Sequence, residues 1–284
     1  MSKQLTKVYE PDSRRHINFF KIWIIMFRNV ITSRELIYQL FKRDFFMAYK
    51  KSFIGTAWIL FSPIAGIISW VLMNRTGILN PGDVGIPYPA YVLLSTSIWG
   101  LFMGFYEAGA STLGAGSGFI MQVKYPHEAL LVKQVAQHLA NFCLGFGMNI
   151  LVLIIFGVIP SWKLIFFPIL VLPLFLLGAG IGLLISVISI VAIDLTKGIG
   201  MAFGLLLYVT PVIYSANTQS HLLNEIIKYN PLTYLIGATR DIIIYGQFNN
   251  IDRFLYSSLF ALVVFMFSWR MFFISEEKVV ERMI

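Results

Sequence analysis

Lys42 to Pro63 reads KRDFFMAYKKSFIGTAWILFSP, and its character changes halfway along. Five of its first ten residues are charged, and no further charge occurs until Arg75. A basic segment feeds directly into an apolar one, so the meaning of the pair depends on whether the apolar half is long enough to cross a membrane.

Hydrophobic residues make up 57% of the 284 residues and charged residues only 13%, against about a quarter charged in a typical globular domain. A bilayer core of about 30 Å needs roughly 20 helical residues to cross it. Windows without charge and of that length run over 52–74, 84–106, 134–162, 164–193 and 198–224. A sixth, 254–275, holds only Arg270, close enough to its end for the side chain to reach the headgroups. The expectation is an all-α polytopic membrane protein with six transmembrane helices. Residues 1–53 form a cytoplasmic N-terminal segment and 54–284 the transmembrane domain.

The net charge of +8 fits either nucleic-acid binding or the cytoplasmic enrichment of Lys and Arg that orients membrane helices. Distribution decides. With the N-terminus inside, 17 of the Lys and Arg residues fall on cytoplasmic segments and 5 outside, 11 of the 17 before the first span. Both termini are therefore expected in the cytoplasm, and no nucleic-acid partner is needed. The first fifteen residues carry mixed charge with no small-residue cleavage site after a clean apolar core, so no removable signal peptide is expected. Cys143 is the sole cysteine, which rules out an intrachain disulfide.

Phe19 to Ile31 is strongly apolar, but only six uncharged residues separate Lys21 from Arg28, so it can lie at an interface without crossing. The next segment has helical periodicity. Leu36, Ile37, Leu40, Phe41, Phe45 and Ala48 share one half of the wheel, and Tyr38, Gln39, Lys42, Arg43, Tyr49 and Lys50 the other. Arg34 and Asp44 fall on the apolar half, against the pattern. Such a helix lies in the membrane surface with Arg43, Tyr49, Lys50 and Lys51 near the headgroups. It would serve equally as a plain basic anchor.

After the second span, Ala108 to Lys133 opens on Ser-Thr-Leu-Gly-Ala-Gly-Ser-Gly and closes on Val123-Lys124-Tyr125-Pro126-His127-Glu128. Its glycines weaken a helix, and the Tyr-Pro step favours extended backbone at Tyr125. The segment is longer than a connector requires and is either a partner contact or a plain loop. Asp194 and Lys197 mark a second, very short cytoplasmic loop. Beyond the fifth span, Tyr229 to Thr239 and Ile242 to Gly246 are apolar but too short to cross, which suits short re-entrant helices on the external side. Gly178/Gly182 and Gly200/Gly204, each pair four residues apart, permit close helix contacts within one subunit or between two.

No phosphate-cradling Gly-x-x-x-x-Gly-Lys-Ser/Thr occurs, and His16, His127, His138 and His221 are too scattered for zinc. The first five windows contain no ionisable Asp, Glu, Lys or Arg for ion coupling. His138 is expected to be a hydrogen-bonded packing residue. The energy for any transport must come from elsewhere.

The order of motifs resembles the permeases of bacterial ABC transporters that export cell-surface polysaccharides. Those carrying the resemblance are Arg43-Asp44-Phe45, Tyr49-Lys-Lys-Ser52, Ile54-Gly55-Thr-Ala-Trp58, Ser62-Pro63, Lys124-Tyr125-Pro126, Asp194, Thr210-Pro211-Val-Ile-Tyr214, Asn230-Pro231-Leu232, Arg240-Asp241 and Tyr245-Gly246. Ile193 stands where members of that family often carry an Arg.

The resemblance implies a homodimeric membrane subunit in the bacterial inner membrane. It would pair with two separate ATPase subunits that bind ATP and magnesium, leaving this chain without a cofactor. Lys124, Tyr125, Pro126 and His127 would form the main ATPase-coupling element, with Asp194 and Lys197 the second. Trp58, Phe61, Phe203, Tyr208 and Tyr214 would line a path for a lipid-linked glycan, or else belong to lipid-interface belts. Tyr229, Asn230, Pro231, Tyr234 and Arg240 would form an external gate. Export of teichoic-acid polymer, drug or lipid fits the same architecture. A membrane-bound transferase would need a cluster of acid or base residues, which Glu107, Glu128 and Asp194 do not make.

Overall fold

The computed structural model describes residues 17–50, 57–115, 126–189, 192–217 and 220–283. Among these all the regular structure is helical, without a strand. Two helices precede the first apolar window, α1 (Phe19–Thr32) and α2 (Arg34–Lys50). Next in the chain are α3 (Ala57–Arg75), α4 (Tyr88–Ala110), the short α5 (Thr112–Ala115) and α6 (His127–Ile155). A 3-10 turn at Trp162–Phe166 leads into α7 (Phe167–Ser189), and then come α8 (Ile193–Leu206), α9 (His221–Tyr229), α10 (Pro231–Ile244) and α11 (Ile251–Met283). The expected boundary between residues 53 and 54 lies outside the described residues.

α7 is the central helix, and its glycines explain why. A Cβ on Gly178 would lie 2.8 Å from the Phe102 carbonyl oxygen, and one on Gly182 2.8 Å from the Ala110 nitrogen, so α4 meets α7 backbone to backbone. On another face of α7, a Cβ on Gly180 would come within 3.0 Å of Phe265 Cα in α11. Small residues allow this approach, and dispersion between close backbones then holds helices that lipid would otherwise solvate equally well. The Gly178/Gly182 pair thus works inside one subunit. Gly200 and Gly204 meet nothing within 4 Å, and their neighbours Met201 and Leu205 are exposed.

Among the described residues, three segments are long and apolar enough to cross a membrane: His127–Ile155, Trp162–Ser189 and Ile251–Ser275. α3 and α4 have 19 and 23 residues, about the length a bilayer requires. The fifth window is different. Its lack of charge predicts one span over 198–224, but α8 has only 14 residues and ends at Leu206. Residues 207–217 run in turns and bends, and α9 begins only at His221. Pro211 lacks the N–H that a continuing helix would use, and its ring opposes the preceding turn.

α1 packs on α11 and on the start of α6. Ile22 and Met26 are fully buried, Trp23 stacks on Trp269 at 5.7 Å, and Asn29 Nδ2 donates to Glu128 Oε1 at 3.4 Å. α2 lies along α6, with Leu36, Ile37, Leu40, Phe41 and Phe45 half-buried as its periodicity predicts. The misplaced Asp44 has its reason here. Its carboxylate pairs with Lys133 of α6 at 2.5 Å and accepts from Arg43 Nε at 2.7 Å. Burial would raise the Asp44 pKa, but the two cations outweigh it and hold the carboxyl below its ordinary value.

Candidate translocation groove and arginine hub

Pro63 and Gly66 on α3 leave room beside that helix, and Gly100 on α4 and Gly145 on α6 do the same from the other walls. The result is an open groove of about 570 Å³ between α3, α4 and α6. Its lining is two-sided in chemistry. Trp58, Trp70, Phe142 and Phe146 supply aromatic faces, while Ser62, Thr96, Ser97, Asn141 and Asn149 supply hydroxyls and amides. Ser97 Oγ donates to Asn149 Oδ1 at 3.0 Å, fixing the amide and turning its NH₂ donors away from that bond. A volume of this size is in the range that holds a small ligand or one segment of a larger one.

His138 also borders the groove and behaves as a packing residue. Its Nε2 lies 3.2 Å from the Leu101 carbonyl oxygen, and its ring meets Phe105 edge-on at 5.6 Å. Gly104 makes the space, since a Cβ there would overlap the imidazole.

Toward the end of α8 the irregular segment 207–214 exposes carbonyls that no helix satisfies. Unpaired backbone groups are costly away from water, so other elements must supply donors. Tyr88 Oη donates to the Ile213 carbonyl at 3.0 Å and Tyr91 Oη to that of Tyr214 at 2.8 Å. Arg240 Nη1 donates to the Pro211 carbonyl at 3.3 Å and to Tyr91 Oη at 2.6 Å. Asn230 does double duty: its Nδ2 donates to Thr210 Oγ1 at 2.8 Å, and its Oδ1 caps α10 by accepting from Leu232 N at 3.0 Å. Pro231 occupies the first helical position, where its missing N–H costs nothing. Tyr214 Oη closes the turn on the Tyr208 carbonyl at 2.9 Å.

The expected site residues divide accordingly. Trp58 lines the groove, and Phe61 is exposed one turn further along α3. Phe203 does not line a surface. It is 8% exposed and packs on Tyr106 at 4.4 Å and Phe102 at 5.9 Å, because it sits on the face of α8 that meets α4. Tyr208 and Tyr214 lie beyond α8 in the broken segment rather than in a helix, and Tyr208 meets Trp70 of the groove at 6.1 Å. Asn230 and Arg240 are both 9% exposed and belong to the hub, whereas Tyr229 is exposed at the end of α9 and Tyr234 Oη bonds the Lys228 carbonyl.

Of the expected coupling residues, Lys124 and Tyr125 lie outside the described residues. Pro126 is half-buried and caps α6, and His127 is 4% exposed at its first position. Asp194 and Lys197 are exposed in the first turn and a half of α8. Arg43 is exposed, Tyr49 and Lys50 close α2, and Lys51 lies outside the described residues. Tyr88 and Tyr91 were missed by sequence reasoning, and Thr210 entered only within a motif, without a role. The proline in Thr210-Pro211 was the available signal, since it implies freed carbonyls in need of donors.

Residues 35–244 match the profile of the ABC-2 type transporter family. The chain is 25% identical over 195 residues to the O-antigen export system permease protein RfbA of Myxococcus xanthus, covering 69% of this chain and 74% of the relative. It is 20% identical over 217 residues to the protein of the same name from Klebsiella pneumoniae, covering 76% and 82%. The profile takes in α3, α4, α6, the broken helix and all of α10, so the groove and the hub both lie within it, and the chain belongs to the ABC-2 type transporter family.

Proposed function

We propose that this protein is the membrane subunit of an ATP-driven exporter that moves a lipid-linked or otherwise amphipathic polysaccharide, of the O-antigen or capsule kind, across the bacterial inner membrane. Two copies form the path, and two separate ATPase subunits bind ATP and magnesium and supply the energy. The observation that carries this reading is the groove between α3, α4 and α6. Its aromatic wall suits the apolar faces of sugar rings, and its hydroxyls and amides suit their alcohol groups. The polysaccharide assignment is further supported by the two relatives, whose names give O-antigen export.

In this arrangement six segments cross the membrane and both termini are cytoplasmic. The pair α8 and 207–217 forms the fifth crossing, and α9 and α10 dip back from the external side. The 17-to-5 distribution of Lys and Arg supports that orientation. The exposed Gly200/Gly204 face of α8 is the surface on which a second copy would pack. Residues 124–127 and the start of α8 meet the ATPase.

The test is co-purification in nanodiscs with candidate ABC ATPase subunits from the same organism, with and without lipid-linked glycan. A complex of equal stoichiometry is expected, with ATP hydrolysis stimulated by the glycan and the stimulation reduced by Trp58→Ala and Trp70→Ala together. Failure to bind any ATPase would end the exporter reading. Stimulation by a drug or free lipid instead of glycan would end the polysaccharide assignment alone.

A further inference from the structure

We propose that the junction of α1 and α11 is a binding site for one anionic phospholipid, its headgroup phosphate held by Arg270 and an acyl chain lying along α11. Arg270 is half-buried at the membrane end of an otherwise apolar crossing. Its guanidinium lies 5.6 Å from the centroid of the Phe19 ring, and among the described residues no carboxylate pairs with it. An aromatic face recovers only part of what a guanidinium loses on leaving water. A phosphate offers the bidentate, charge-assisted bonds that the planar fork is shaped for.

The space beside this cation has the shape of a lipid. A groove of about 760 Å³ runs from Phe19 and Arg270 to Phe267 and Val263. Arg270 and Val263 are seven helical steps apart, a rise of about 10 Å toward the middle of the bilayer. Val263 and Phe267 are each 58% exposed, so the groove opens to hydrocarbon and not into the protein.

α1 independently fixes the depth. Phe20, Ile24, Phe27 and Ile31 form a stripe at helical spacing that is exposed although apolar, opposite the buried Ile22 and Met26. A helix with apolar residues on both of those faces, flanked by Lys21 and Arg28, rests in the headgroup region with one face on protein and the other on lipid. That places Phe19 and Arg270 at phosphate level. The attraction of Lys and Arg for anionic leaflets then favours an anionic over a zwitterionic headgroup. A bound lipid would join α1 to α11 beside the Trp23/Trp269 stack and stiffen the attachment of the N-terminal helices. This site does not depend on what the protein exports.

The probe is palmitoyl-oleoyl phosphatidylglycerol against the matching phosphatidylethanolamine, mixed equally and counted on the purified full chain by native mass spectrometry. Arg270→Gln is expected to lower retained phosphatidylglycerol at least fivefold without changing phosphatidylethanolamine, and Arg270→Lys to keep most of the preference. Unchanged retention in Arg270→Gln, an equal loss of both lipids, or an equal loss in the control Arg28→Gln would overturn the site. Should Arg270→Gln fail to fold, photoreactive phosphatidylglycerol on the wild-type protein decides. Labels are expected on the peptide containing residues 263–275, and labelling confined elsewhere refutes the proposal.

Discussion

Arg240 of α10 lies over the ring of Tyr91 of α4, its guanidinium carbon 4.6 Å from the ring centroid, and donates to the hydroxyl of the same residue. Tyr91 passes the interaction on to the Tyr214 carbonyl, so one cation organises the turn that ends α8. Replacing Arg240 with Ala removes bonds to Tyr91 and Pro211 and leaves Asp241 without its neighbouring cation. The expected cost is about 2 kcal/mol for hydrogen bonds to a buried charge, a fall of roughly 4–8 °C in the thermal midpoint. Thermal unfolding in detergent measures it, and Arg240→Lys should restore less than half. A midpoint unchanged in Arg240→Ala would mean the turn is held without the cation.

The two glycine pairs should respond differently to the same change. Gly178→Val drives a side chain into the Phe102 carbonyl and separates α4 from α7, at a cost of about 3 kcal/mol. Its folded yield by fluorescence-detected size exclusion should fall sharply. Gly204→Leu enters open space and removes a poor helix former, so the protomer should keep its thermal midpoint. Cross-linking between copies in the membrane should nonetheless drop. Persistence of the cross-linked dimer would move the contact between copies away from α8.

Long windows with at most one charge made α6, α7 and α11 legible, because crossing a bilayer demands both length and few charges. The same rule misread 198–224, since the segment that breaks at Pro211 is as apolar as an unbroken helix. What distinguishes it is donors on α4 and α10, and Tyr91 is 123 residues away from the Tyr214 carbonyl to which it donates. The periodicity of α2 gave its face correctly, but Asp44 was intelligible only once α6 brought Lys133 beside it. Aromatic residues were the least readable. Trp58 and Phe203 are equivalent by composition, and only packing sends one to the groove and the other to the core.

The Asp44 pair also sets a pH range. With its folded pKa held below the ordinary value near 4, Asp44 contributes its full stabilisation above about pH 4. That contribution is lost as pH falls through the lower folded value, and Asp44 keeps its charge at every higher pH. Because it is partly exposed, its worth is about 1 kcal/mol at most. Asp44→Asn at pH 7 should raise hydrogen exchange in α2 severalfold, to the level the wild type reaches only in acid. Exchange in α2 that varies between pH 6 and 8 after correction for the intrinsic rate would contradict this assignment.

Gly104 and His138 supply the last prediction, because each residue explains the other. A methyl group at Gly104 must displace the imidazole, which then loses the Leu101 carbonyl and its edge contact with Phe105 and turns toward the groove. Gly104→Ala should therefore cost about 2 kcal/mol even though alanine is the better helix former. His138→Ala should cost about 1 kcal/mol through the lost hydrogen bond and packing. Once the ring is gone, the added methyl has space, so the double variant should be no less stable than His138→Ala alone. That amounts to a coupling of about 2 kcal/mol, measurable as a double-mutant cycle of thermal midpoints in detergent. Additive losses would show that α4 and α6 do not meet through this ring. Coupling of the expected sign would establish that Gly104 and His138 meet where α4 and α6 form the wall of the groove.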